Sequence, residues 1–176
     1  RIFLSHFHID HCLDFVTILF ASRIPQPKRT KPLTIYGPPG LKSLYRQLNR
    51  AFHGWLAPRS YRLILKELGA TTLRLPGYTV QTKRMNHTAE ALGYGLRAGG
   101  KYLVYSGDTD SCNEIIELGH KADVLILECS HPDKRKVIGH LTPSECGHIA
   151  AASECKRLAL THFYPVFGGE NIRAQV

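Results

Sequence analysis

The sequence predicts an α/β fold in which a sheet is covered by helices. Three observations carry that expectation. Short apolar runs alternate with longer stretches whose apolar residues recur at helical spacing. Turn residues punctuate the chain between them, as in GPPG at Gly37–Gly40 and in the pair Gly99–Gly100. A length of 176 residues, 43% hydrophobic and 21% charged, suits one globular domain with a sizeable core and argues against a disordered or fibrous chain.

Element by element, Ile2–Leu4 reads as a short buried strand that runs straight into a histidine cluster. Asp10–Arg23 reads as a helix, because Leu13, Val16, Ile18, Leu19 and Phe20 fit a helical face better than strict alternation; Pro25 and Pro27 stop it. Leu33–Tyr36 is β-rich and is closed by the GPPG turn. Leu41–Phe52 is helical, with Leu41, Leu44, Tyr45 and Leu48 on one stripe and Lys42, Arg46 and Arg50 on its solvated face. Tyr61–Leu68 reads as a weaker helix capped by Gly69. Strands then dominate, at Thr71–Leu75, Tyr78–Met85, Tyr94–Arg97 and Tyr102–Tyr105, the last two joined by a hairpin at Gly99–Gly100. Asn113–Lys121 reads as a helix and Val124–Glu128 as a buried strand. Thr142–Ser153 is the best-marked helix, with Thr142, Pro143 and Glu145 at the N-cap, N1 and N3 positions of a capping box. Leu158–Leu160 is a further buried strand, ending at Thr161–His162. With no internal repeat or linker, residues 1–176 are expected to form a single domain.

The net charge of +9 favours anionic partners through long-range attraction. The basic residues form no long block, the densest run being Lys28, Arg29 and Lys31 in a Pro-rich stretch. The cysteines Cys12, Cys112, Cys129, Cys146 and Cys155 are odd in number, irregular in spacing and without a CxxC pair. This argues against a disulfide framework and for a reducing, cytoplasmic setting. No apolar stretch reaches the roughly 18 residues of a membrane span, and no signal peptide is visible. The chain starts without Met, so residues upstream, with any targeting signal, are expected to lie outside it.

The chemistry concentrates at SHFHIDH, Ser5–His11, which holds four metal-capable side chains: His6, His8, Asp10 and His11. In an extended segment His6 and His8 point the same way, because side chains alternate with period two, so both can serve one ion. Asp10 and His11 lie where the chain turns into a helix, and can reach a second ion. Imidazole and carboxylate without thiolate suit catalytic Zn²⁺; Mn²⁺ or Fe would also be tolerated. Two ions need more donors, and three stand at strand ends: His87, Asp108 in SGDT, and His162 in LTHF. Of the other histidines, His120 and His148 fall within expected helices and read as surface or packing residues.

With those residues in view, the chain resembles the metallo-β-lactamase superfamily, and within it the ribonuclease Z-like metal-dependent hydrolases. HFHIDH matches the HxHxDH motif. NHTAEALGYGL (Asn86–Leu96), YSGDT (Tyr105–Thr109) and LTHFYP (Leu160–Pro165) resemble, in family order, the segments of the remaining ligands. The resemblance implies an αββα sandwich with metals at one sheet edge. It implies His6, His8 and His87 on one metal, Asp10, His11 and His162 on the second, and Asp108 bridging them. Gly139–Thr142, GHLT, resembles the HxT motif in which the histidine approaches the scissile phosphate; before a helix N-terminus His140 would meet an anion favourably. Glu128 resembles the acid that orients that histidine.

Two departures qualify the match. The family domain begins with several strands before HxHxDH, so this chain is expected to lack N-terminal strands of the fold. The interval from His87 to Asp108 is 21 positions (108 − 87), room for two strands and a turn but not for the protruding arm of tRNA-processing enzymes.

The implied enzyme is a zinc-dependent hydrolase acting on a phosphodiester (a cyclic nucleotide, a small diester or RNA), with two Zn²⁺ as cofactor. Asp10, His140 and Glu128 are its catalytic candidates. A carboxylic ester, thioester or lactam on the same site, or a non-catalytic metal-binding homologue, stays open as an alternative. The expected partners are the anionic substrate and a second copy of the chain as a homodimer, with no membrane.

Overall fold

Strands and helices alternate through a computed structural model that describes residues 1–24, 28–168 and 172–176, so the helix stop assigned to Pro25 and Pro27 lies outside the described residues. The chain divides into two compact units, Arg1–Leu68 and Gly69–Val176, each with its own sheet and core.

The first unit is a parallel three-stranded sheet in the order β1 (Ile2–Phe3), β2 (Leu33–Gly37), β3 (Leu63–Glu67). Parallel neighbours need crossover connections. Helices α1 (Ile9–Cys12) and α2 (Asp14–Ala21) lead from β1 to β2, and α3 (Leu41–Ala51) from β2 to β3. Leu4, Phe15, Leu19, Leu33, Ile35, Leu41 and Leu56 form the core beneath them.

Two expectations for this unit need correction. The helix expected at Tyr61–Leu68 is strand β3, paired with β2 from Leu33↔Leu63 to Gly37↔Glu67. An isolated helix of that length is marginal in water. The ladder instead satisfies the backbone, while Leu63 and Leu65, two apart, pack on the core. The single helix expected over Asp10–Arg23 is two. The Leu13 amide bonds to the Ile9 carbonyl, four back, but the Val16 amide bonds to Leu13, three back, and the α ladder breaks at that step.

The GPPG turn lies against the histidine loop. Gly40 caps α3 at φ 107°, and a Cβ there would stand 3.1 Å from the ring of Phe7, between His6 and His8. Glu67, from the end of β3, accepts from the Gly40 and Lys42 amides at 3.0 and 3.1 Å. The Lys42 amide above all holds this carboxyl below its ordinary range.

The second unit is a six-stranded sheet in sequence order: β4 (Thr71–Leu75), β5 (Tyr78–Arg84), β6 (Leu92–Ala98), β7 (Lys101–Tyr105), β8 (Val124–Glu128), β9 (Leu158–Thr161). Strands β4 to β7 are antiparallel, with Ala98 facing Lys101 across the Gly99–Gly100 turn; β7, β8 and β9 are parallel. Helices α4 (Asn113–Gly119) and α5 (Pro143–Ala152) make the crossovers. Leu125 and Leu127, on one face of β8, are fully buried in a core with Ile115 and Leu118 of α4 and Cys146 and Ile149 of α5. The capping box of α5 is formed, with Glu145 accepting from the Thr142 amide at 2.9 Å. All five cysteines are free thiols.

Strand direction in this sheet decides where its chemistry gathers. Two antiparallel steps make β5 run the same way as β7, and β8 and β9 follow β7. The C-terminal ends of β5, β7, β8 and β9 therefore lie along one edge, the place where α/β sheets present ligands.

Candidate metal centre

In the first unit the donors come from one loop. His6 is buried and His8 is exposed, yet their ring centroids are 4.7 Å apart. His8 is the N-cap of α1, so Asp10 and His11 fall in its first turn. That turn brings the His11 ring to 4.2 Å from His6, with Asp10 Oδ2 3.3 Å from His11 Nε2. Ser5 Oγ lies 3.1 Å from His6 Nδ1. Cys12 is buried and contacts the Phe7 carbonyl, a packing role; burial, then the Asp10 charge, pushes its thiol up.

In the second unit the donors come from four places in the chain. His87 follows β5, Asp108 follows β7, His162 follows β9, and His140 lies just before α5. Asp108 Oδ2 stands 3.9 Å from His87 Nε2, 3.6 Å from His162 Nε2 and 4.0 Å from His140 Nδ1. Ligand atoms of Asp108, His140 and His162 lie within 4.8 Å of one another. His162 takes φ 63°, a left-handed backbone uncommon for residues other than Gly, as do His53, Lys121 and Glu154 elsewhere in the chain.

His87 and His162 are each held by the nitrogen that faces away from Asp108, and His140 by Nδ1, the one that faces it. His87 Nδ1 is 2.8 Å from the Gly139 carbonyl, which can only accept, so Nδ1 carries the proton and Nε2 is the lone-pair nitrogen. The Ser130 hydroxyl donates to Glu128 Oε2 at 2.7 Å, so at 2.8 Å it accepts from His162 Nδ1, and again Nε2 carries the lone pair. Glu128 is fully buried and accepts at Oε1 from His140 Nδ1 (2.8 Å) and the Thr109 amide (3.2 Å), and at Oε2 also from the Ser130 amide (3.0 Å). These donors offset the desolvation of its carboxylate. The Glu128 hydrogen bond lifts the His140 imidazole above the ordinary histidine range; burial opposes it, and the charges of Glu128, Asp108 and Asp110 add to it.

The donor sets suit a metal. Separations of 3.6 and 3.9 Å from Asp108 are too long for hydrogen bonds. They are near the roughly 3.4 Å edge between two donors that each sit about 2.0–2.2 Å from one tetrahedral ion. Imidazoles whose second nitrogen is hydrogen-bonded are the usual form of metal-ligating histidine.

Sequence reasoning overlooked three of these residues. Ser130 joins Glu128 to His162, and its only sequence signal is a polar residue just past the end of β8. Asp110 accepts from the Gly139 amide at 2.8 Å, and Lys136 bonds to Asp110, to Glu145 and to the His140 carbonyl. Burial would raise the Asp110 carboxyl, but the Lys136 ammonium and the Gly139 and Ser111 amides outweigh it and hold it below its usual range. Lys136 and Asp110 read in sequence as ordinary surface charges. His131 also borders the cluster, its ring 5.8 Å from His140 and 5.1 Å from Tyr164; burial, then His140, lowers its imidazole below the usual range. His53, His120 and His148 are exposed.

Two sheets flanked by helices are the metallo-β-lactamase fold, and solved structures bear the expectation out. The metallo-beta-lactamase fold protein YhfI from Bacillus subtilis superposes with a TM-score of 0.82 at 24% identity, over 98% of this chain and 69% of that one. Residues 1–163 match the family described as the beta-lactamase superfamily domain, and the chain belongs to that superfamily, in its metallo-β-lactamase branch. The Mycobacterium leprae protein ML1173, itself uncharacterized, is 30% identical over 98% of this chain, which spans 62% of that relative's length. Ribonuclease Z of Pyrococcus horikoshii is 28% identical, over 94% of this chain and 69% of its own. Among the described residues no helix is long and apolar enough to cross a membrane.

Proposed function

We propose that this chain is a binuclear metal-dependent hydrolase that cleaves phosphodiesters. His6, His8 and His87 would hold one ion, Asp10, His11 and His162 the other, with Asp108 shared. Support comes from membership of the superfamily, from the donor chemistry, and from the preorganised imidazoles in each unit. Zn²⁺ suits this nitrogen and oxygen donor set, with Mn²⁺ or Fe as substitutes. When bound, the ions supply Lewis-acid polarisation and water of lowered pKa.

The observation that carries the phosphodiester reading is His140. Its Nδ1–H is anchored on buried Glu128, and its imidazole is raised toward the cationic form. A cationic imidazole at the entry to α5 can donate from Nε2 to a phosphoryl oxygen and stabilise charge that grows during cleavage. Glu128 keeps that ring in one orientation. Asp10, exposed beside His11, would pass a proton to the leaving group. The relative from Pyrococcus is by name a ribonuclease, which keeps RNA among the candidate diesters. Between His87 and Asp108 the chain holds β6, β7 and their turn, with no inserted arm, which favours small diesters over tRNA.

The test is turnover of bis-p-nitrophenyl phosphate together with metal analysis. His140→Ala should lower kcat by about 10²–10³ with metal content unchanged. Wild-type turnover in that variant would sink the phosphate role. A second reading has its own observation, the grouping of His140 with Asp108 and His162: His140 would then be a metal ligand, and the same variant would lose an ion.

A further inference from the structure

Gly139 sits at the crossing of two arms of the second unit. Its carbonyl accepts from His87 Nδ1 at 2.8 Å, and its own amide donates to Asp110 Oδ2 at 2.8 Å. The other Asp110 oxygen takes the Lys136 ammonium at 2.7 Å, and that ammonium also reaches the His140 carbonyl at 2.5 Å and both oxygens of Glu145. The Asp110 amide in turn donates to the Asn86 carbonyl at 2.7 Å, next to His87. The peptide that holds His87 is thus the one that enters His140. It adopts φ 89°, and a Cβ on Gly139 would stand 3.2 Å from His87 Nδ1. No side chain fits between them without displacing the ring.

We propose that Asp110 and Lys136 are positioning residues that clamp the Gly139 peptide, so that one clamp sets both the tautomer of His87 and the place of His140. The proposal rests on the reading of His87 as a metal ligand and His140 as the phosphate-facing group. Its physics is simple. Asp110 anchors the peptide plane that ends in the Gly139 amide; the Gly139 carbonyl lies in the next plane, joined to it at the Gly139 Cα, so the anchor narrows where that carbonyl can point. That carbonyl dictates which nitrogen of His87 carries the proton, and so which one is the ligand. Lys136 anchors Asp110 and the His140 backbone together through one ammonium. A loop bearing exposed Val137 and Ile138 has little apolar packing of its own to hold it there.

The test reads the His87 tautomer directly, by ¹⁵N NMR of the imidazoles in the metal-free protein, and Zn²⁺ affinity by chelator competition. Wild type should show the Nδ1–H tautomer at His87. Asp110→Ala should shift it toward Nε2–H and weaken Zn²⁺ binding by about 10–100-fold. Asp110→Asn, which keeps an oxygen for the Gly139 amide, should fall between, and serves if the alanine variant does not fold. Lys136→Met should lower phosphodiester kcat, and Lys136→Arg should recover part of it. An Nε2–H tautomer in wild type, or an unchanged tautomer and affinity in the Asp110 variants, overturns the clamp. Wild-type protein that takes up no Zn²⁺ overturns the metal reading instead, and the tautomer still decides the clamp.

Discussion

The donors of the two units are built on opposite plans. In Arg1–Leu68 they fall within positions 6 to 11, where a loop enters α1, and the Asp10 side chain is 59% exposed. In Gly69–Val176 they come from four separate segments, and Asp108 and Glu128 are buried to 2% and 0%. The loop needs only a strand, a turn and the first residues of a helix to bring three imidazoles together. The second set needs a whole sheet, because only shared strand direction collects its residues on one edge. The lesson is one of cost. The exposed Asp10 of the local set can change with little loss of fold, although His6 beside it is buried, whereas the dispersed set is wired into the core through Glu128 and Ser130.

That contrast can be broken by experiment. The largest effect is expected at Asp108: Asp108→Ala should abolish phosphodiester turnover and metal binding together, and a variant that keeps its ions by mass spectrometry would remove Asp108 from the centre. Glu128→Ala comes next. It strands the Thr109 and Ser130 amides, the Ser130 hydroxyl and His140 Nδ1 in the interior, and should cost on the order of 3 kcal/mol in urea unfolding. A loss under about 1 kcal/mol would mean that water replaces the carboxylate cheaply. Ser130→Ala should leave the fold intact but weaken Zn²⁺ binding by about 10–100-fold, through loss of the His162 acceptor. The smallest stability effect belongs to the loop: Asp10→Asn should change unfolding free energy by no more than about 0.5 kcal/mol while lowering metal affinity. A large stability loss there would erase the contrast between the units.

Legibility followed the same division. His6, His8, Asp10 and His11 announce themselves because their spacing is local, and His87, Asp108 and His162 could be picked out because each stands just past an apolar run. Ser130, Asp110 and Lys136 could not, since each matters through a partner 26 to 32 positions away. The strand at Leu63–Glu67 was misread for a related reason. Its pattern was weak by itself, and its backbone bonds go to β2, some 30 residues earlier.

By itself the sequence determined the α/β class, most of the strands, the capping box of α5 and the donor chemistry, all of which depend on periodicity or on neighbours along the chain. Tertiary structure alone decided which nitrogen of His87 and His162 carries the proton, how Glu128 survives burial, and that the Gly139 peptide serves both His87 and His140. Hydrogen bonds between distant segments have no period to betray them; they exist only once parallel strands have brought their ends to one edge.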